Sequence, residues 1–321
     1  MICAGLPGQA EILRIATYDS GLGRKGPGVM LRDLVTGDEQ AEAALTVIAA
    51  VEADIVLLLD VDWDYEGRGL AALVEALGER GASYPYAVAL RPNSGTPSGI
   101  DLDGDGDAHG PRDALGYGWF TGDSGLALLS NQPLGTPQDH SGVLWSARSD
   151  AVRVLPEAAR NVVPLATTAQ WTMPVTLGTT EITLVTMAAG TPVFDGPEDR
   201  NGLRNRDEIG FVADLASEAD MPLVLGRANL DPERGEGIRE AIDALLAHPD
   251  LQDPIPAAPD GGTETAMWKS VGPMRVDYVL PPSAFDVTGA GVLRPGPDDP
   301  LAEAAEGAGS GRLVWVDVTV P

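Results

Sequence analysis

No apolar run in this 321-residue chain is longer than the five residues Ile55–Leu59. A membrane-spanning helix needs roughly 20 consecutive apolar residues, so no segment qualifies. With 44% hydrophobic residues the chain still has enough apolar material for a large core. That core must be assembled from many short elements. Residues 11–17 alternate as a strand does, 54–60 form a short apolar run, and 181–187 alternate again. Further runs at 126–130, 221–226, 275–280 and 313–318 are strand-sized. Between them, 29–53, 69–79, 206–218 and 237–247 carry apolar residues at helical spacing. Strands and helices intermix with no dividing linker. The pattern predicts one α/β domain over residues 11–321, with two central sheets and helices outside. The Gly- and Pro-rich stretch 289–311 reads as a long surface loop, and Trp171 and Trp315 as core residues.

The formal charge is −27, from 48 acidic and 21 basic residues. Nucleic acid is bound first by neutralising phosphates with Lys and Arg. The longest basic cluster here is Arg24-Lys25, so no nucleic-acid partner is expected. The acidity fits solubility in a salty or extracellular milieu, or divalent-cation binding. The single cysteine, Cys3, allows no internal disulfide. Residues 1–10, MICAGLPGQA, are similar to the tail of a secretory signal peptide, which gives a periplasmic or secreted expectation.

Seven segments, taken in order, resemble the endonuclease/exonuclease/phosphatase superfamily, and within it a bacterial, often exported branch. They are RIATYDSGLGRKGPGVMLRDL, ADIVLLLDVDWD, PSGIDLDGDGDAHGPRDALGYGWF, TPVFDGPEDRNGLRNRDEIGFVADL, LVLGRANLDP, RVDYVLPP and RLVWVDV. The resemblance runs from Leu13 to Val318 and implies a four-layer α/β/β/α sandwich. It also implies a chemistry in which a divalent metal, Mg²⁺ or Mn²⁺, neutralises phosphoryl oxygens while a water attacks phosphorus. Members supply a Glu for the metal, an Asp to activate the water, a C-terminal Asp-His pair, and a further His and Asn for the transition state.

At the matching positions this chain departs from that pattern. The Asn ending the first strand corresponds to Asp19, and the metal-binding Glu to Asp60. A Tyr corresponds to Ser124, and a His to Ala188. The water-activating Asp corresponds to Arg227, and the terminal Asp-His pair to Ser310-Gly311. Only Asn229 keeps the family residue. A guanidinium cannot accept a proton and repels a divalent cation. The three histidines, His109, His140 and His248, fall at no family position. Arg227 is expected to pair with Asp19 or Asp60 in place of the metal, or to bind an anionic ligand together with Asn229. Two functions follow: a non-catalytic relative that binds a cation, a small anion or a protein partner, or a phosphoesterase rebuilt around Asp19, Asp60, Asp62 and Asn229.

Outside those positions, Asp101, Asp103, Asp105 and Asp107 form a DxDxDG loop whose oxygens suit Ca²⁺. The twelfth position is Arg112 rather than Glu, so this is not an EF-hand; a solvated acidic turn is the alternative. Gly122-Asp-Ser-Gly125 superficially resembles a serine-protease nucleophile motif but lacks a matching histidine. Residues 195–202 read as a capping loop. Arg200, Arg204 and Arg206 are expected to pair with Glu198, Asp199 and Asp207, with an anion as the other candidate.

Overall fold

The computed structural model describes residues 12–320. The possible leader, residues 1–10 with Cys3, lies outside the described residues. The chain opens with β1 (Ile12–Asp19), α1 (Val29–Thr36), α2 (Glu39–Val51), β2 (Ile55–Val61), α3 (Arg68–Glu79) and β3 (Tyr86–Val88). A long irregular segment leads to β4 (Gly125–Ser130), β5 (Gln138–Asp139), three 3-10 turns, β6 (Trp171–Leu177) and β7 (Thr180–Ala188). Then come α4 (Arg200–Glu218), β8 (Pro222–Arg227), α5 (Glu240–Leu246), β9 (Ala266–Trp268), β10 (Gly272–Met274) and β11 (Asp277–Leu280). The last elements are β12 (Asp286–Val292), α6 (Ala302–Gly307) and β13 (Val314–Thr319).

One sheet has the order β12-β13-β1-β2-β4-β3, the other β11-β8-β7-β6-β5, and β9 pairs with β10 as a separate ribbon. Successive strand residues face opposite sides of a sheet, and β2 uses both. Ile55, Leu57 and Leu59 join the core between the two sheets. Val56 and Leu58 join the outer core beneath α1, α2, α3 and α6. In the second sheet, Leu223 and Leu225 of β8 face inward, while Val224 packs with α4 and α5. The result is the expected α/β/β/α sandwich.

Each sheet contains one parallel pair, β1 with β2 and β7 with β8, joined through helices. Antiparallel pairing surrounds them. Strand ends of parallel units are where α/β proteins collect functional groups. Asp19, Ala188 and Arg227 are the last residues of β1, β7 and β8, and Asp60 is the next-to-last of β2.

Several local expectations are corrected. The 29–53 helix is two helices, because Gly37 turns left-handed and Asp38 caps α2, accepting from the N–H groups of Gln40 and Ala41. Helix α4 begins at Arg200 rather than 206, and α5 at Glu240 rather than 237. The 289–311 stretch is not a loop throughout, since β12 runs to Val292 and α6 occupies 302–307. Gly289 and Gly291 lie under the Trp315 ring, where a Cβ would meet indole carbons at 3.3 and 2.7 Å. Trp171 is fully buried as expected, but Trp315 is only half-buried and carries the Arg14 guanidinium 4.4 Å above its ring.

Gly226 has φ 131°, and a Cβ there would overlap the Met187 carbonyl oxygen on the parallel neighbour β7. Gly226→Ala should therefore cost at least about 1–3 kcal/mol from backbone strain alone, read as a lower urea midpoint with unchanged slope.

Candidate functional site

Arg227 is the centre of the site. Its Nε donates to Asp277 Oδ1 at 2.7 Å and its Nη2 to Asp277 Oδ2 at 3.0 Å. Its Nη1 donates to Asp19 Oδ2. Asp277 and Arg227 face each other across β11 and β8 of one sheet, whereas Asp19 ends β1 of the other. One guanidinium thus bridges the two halves of the sandwich. Thr265 Oγ1 donates a further bond to Asp277 Oδ2 at 2.8 Å. Burial opposes the charge on Arg227, but Asp19 and Asp277 more than offset it and raise its pKa. Of the two expected partners the structure selects Asp19, and Asp60 is not bonded to Arg227.

Asp277 escaped the sequence reading. The available signal was a carboxylate in a strand whose four residues are all buried. An Asp in that setting needs a cation or several donors.

Asp60 lies against Gly23, whose missing side chain leaves room for the carboxylate. It makes no ion pair among the described residues. Burial, and then the nearby Asp19 charge, push Asp60 up to about 6. Asp62 accepts the N–H groups of Ser124 at 3.2 Å and Arg24 at 3.0 Å, yet burial pushes it up to about 7. Asp60, Ser124 and Asn229 all have left-handed backbones, with φ of 57°, 52° and 53°. Non-glycine residues hold that conformation at a cost, and such residues concentrate at functional sites. Asn229 Nδ2 donates to the Ala189 carbonyl at 2.8 Å.

A cleft of about 540 Å³ opens over Asp19 and Asp60, walled by Arg24, Lys25, Ser310 and Gly311. Gly311 packs backbone to backbone: a Cβ there would overlap the Asp19 carbonyl oxygen. Ala188 is 8% exposed and belongs to the core between the sheets. The histidines are engaged elsewhere: His140 with Thr172, His248 with Ser217, and exposed His109 with Asp107. Ser124 Oγ bonds Asp123 and no histidine.

The acidic loop is separate from this cleft's lining. Ligand atoms of Asp101, Asp103 and Asp105 lie within 4.8 Å of one another. Asp107 does not join them, because its carboxylate meets His109 Nδ1 at 2.7 Å. The three clustered carboxylates already accept backbone N–H groups within the loop.

The sequence from residue 27 to 312 matches the endonuclease/exonuclease/phosphatase family. The chain belongs to that family. Solved structures carry the same fold. An endonuclease/exonuclease/phosphatase from Beutenbergia cavernae is 18% identical with a TM-score of 0.61, covering 96% of this chain and 72% of its own. Sphingomyelinase C from Streptomyces griseocarneus is 14% identical with a TM-score of 0.53, covering 96% and 99%. The human Nocturnin catalytic domain, solved with bound sulfate, is 14% identical with a TM-score of 0.54, covering 96% and 94%. No curated protein sequence matches the chain. In this family member Asp19, Asp60, Ser310 and Gly311 line one cleft, Arg227 is bonded to Asp19 with Asp277 behind it, and Asn229 lines a second cavity instead.

Removing the guanidinium leaves Asp277 buried without a cation. Arg227→Met should cost about 3–5 kcal/mol near neutral pH, and the loss should shrink in acid as the stranded carboxylates take up protons. Urea unfolding at pH 7 and pH 4.5 measures both. The raised pKa values of Asp60 and Asp62 have a definite sign. Between about pH 4 and 7 the folded state holds more protons than the unfolded chain, so their contribution to stability falls as pH rises through that window. In EDTA buffer, Asp62→Asn should therefore lose less melting temperature than the parent between pH 5 and 8. Parallel melting curves for the two would refute the assignment.

Proposed function

We propose that this chain is a non-catalytic member of its family, in which an internal arginine–carboxylate bridge occupies the place of the metal. The observation that carries the reading is the engagement of Asp19 and Asp277 by Arg227. A divalent Mg²⁺ or Mn²⁺ needs several hard oxygen ligands without a neighbouring cation. Here two carboxylates are already bonded to a guanidinium, and Asp60 and Asp62 are the carboxylates nearby that form no ion pair among the described residues. The residues present do not fit that metal. The family's base is also replaced: a guanidinium accepts no proton, and the three histidines bond elsewhere, which leaves only the Asp60 and Asp62 carboxylates, away from that position. Loss of the family's metal and of the base at its usual position would remove most of the usual rate enhancement.

The test is hydrolysis of p-nitrophenyl phosphate and bis(p-nitrophenyl) phosphate with Mg²⁺, Mn²⁺ or Ca²⁺. No turnover above buffer is expected. Turnover that disappears in Asp60→Ala would instead establish the rebuilt site of Asp19, Asp60 and Asn229. A gain-of-metal variant gives the converse: Arg227→Asp places carboxylates 19, 60, 227 and 277 together, and its stability should become dependent on divalent cation where the parent's is not.

A second element of the reading concerns the acidic loop. The convergence of Asp101, Asp103 and Asp105 supports a Ca²⁺ site there. Millimolar Ca²⁺ should raise the melting temperature, and Asp103→Asn should abolish that rise; an equal rise in the variant would eliminate the site. Together with the −27 charge, an oxygen-rich cation loop supports function in a calcium-containing periplasmic or secreted setting.

A further inference from the structure

A second cavity, of about 530 Å³, lies between the start of α4 and the irregular segment before β4. Its volume falls within the usual range of small-molecule sites. Leu102, Trp145, Leu155 and Val163 give it an apolar floor continuous with the outer core of the second sheet. Tyr117 and Phe194 stand at its wall, 59% and 77% exposed. Arg112, Arg200 and Arg204 supply the charge, and no Asp or Glu is among the lining residues.

That composition runs against the rest of the molecule. Carboxylates outnumber cations by 48 to 21 in the chain, and most of its arginines find one. Arg206, the third of the expected trio with Arg200 and Arg204, pairs with Asp207. Arg200 and Arg204 form no ion pair among the described residues, which corrects the expectation of solvated pairing for those two, and Arg112 forms none either. Arg204 instead donates Nε to the Leu165 carbonyl and Nη2 to those of Leu115, Pro164 and Ala166. Arg200 donates Nη1 to the Leu102 carbonyl. Arg112 makes no side-chain hydrogen bond among the described residues.

The nearby acids are tied down. Asp113 accepts the N–H groups of Leu102 and Gly110. Glu208 accepts those of Thr167 and Gly190, and Asp195 that of Asn201. Burial lowers the pKa of Arg204, with Glu208 acting against it. Glu208 acts on Arg204 only at a distance, and none of the three arginines is bonded to a carboxylate among the described residues, so an anion entering the cavity would be their directly bonded counter-ion. Planar guanidinium groups match the geometry of oxyanions.

We infer that this cavity is a binding site for a small organic oxyanion, a phosphate, sulfate or carboxylate group carried on an aromatic ring, held by Arg112, Arg200 and Arg204 with the ring against Tyr117 and Phe194. The site is a different cavity from the cleft over Asp19 and Asp60, and the retained Asn229 is among its lining residues. Binding is read without turnover, so this inference and the loss of hydrolysis fail independently.

The experiment is titration calorimetry of the full chain with phenyl phosphate, phenyl sulfate, benzoate, inorganic phosphate and benzyl alcohol. Saturable binding is expected for at least one aromatic oxyanion, tighter than for inorganic phosphate, with none for benzyl alcohol. The identity of the tightest aromatic anion selects among the three head groups. Arg112→Gln should weaken that binding at least tenfold, and Tyr117→Ala should weaken the aromatic anion but not inorganic phosphate. Arg112 and Tyr117 are exposed, so both variants should melt at the parent temperature without ligand. No saturable binding by millimolar aromatic anion would overturn the inference, as would equal binding by Arg112→Gln. Arg200→Gln gives a second, independent loss if the site is real, and an unchanged affinity in it would also count against the assignment.

Discussion

Beside the cleft, the two sheets of this sandwich are tied by one guanidinium. Arg227 grips Asp277 on its own sheet with two nitrogens and reaches across with the third to Asp19. A buried ion pair of this kind adds little net stability relative to a well-packed apolar substitute, yet it is expensive to break from one side. Its structural value is therefore specificity of position. It fixes the ends of β1, β8 and β11 relative to one another, and with them the floor of the cleft. Gly311 can lie directly on the Asp19 backbone because no side chain is wanted there. The family's fold has kept its frame while the polar groups at its centre bond to one another.

Three apolar layers carry the rest. The inter-sheet core and the two helix-covered cores are fed by alternate residues of the same strands. Short strands suffice because the central strands β1, β2, β4, β7, β8 and β11 each contribute to two cores. This explains how a chain with no apolar run beyond five residues fills a four-layer domain. It also explains the left-handed backbones at Asp60, Ser124 and Asn229. A packed frame on both sides can hold a few residues away from their preferred conformation.

Much of this was legible in the sequence. The order of strand-like and helix-like runs gave the layers, and the flanking motifs located Asp19, Asp60, Arg227 and Asn229. What stayed hidden was non-local. Asp277 matters because Arg227, 50 residues earlier, lies opposite it, and no pattern within RVDYVL shows that partner. Glycines misled at 289–291, where they make room for the Trp315 ring rather than for a turn. The arginines of α4 were read as surface pairs because charged residues in sequence proximity usually are. The fold turns Arg200 and Arg204 toward the long irregular segment, whose carbonyls they hold.

The three-arginine cavity sits in a molecule of charge −27. Long-range and short-range electrostatics therefore oppose each other for any anion that reaches it. Approach is against the field of the whole surface, and capture is by a local cluster of the other sign. Added salt screens the distant repulsion within a Debye length of roughly 10 Å at 0.1 M, while the close contacts are partly shielded by burial. Arrival should quicken with ionic strength even as the final embrace weakens. That is the reverse of the usual rate behaviour of steered, oppositely charged partners, which slow as salt is raised.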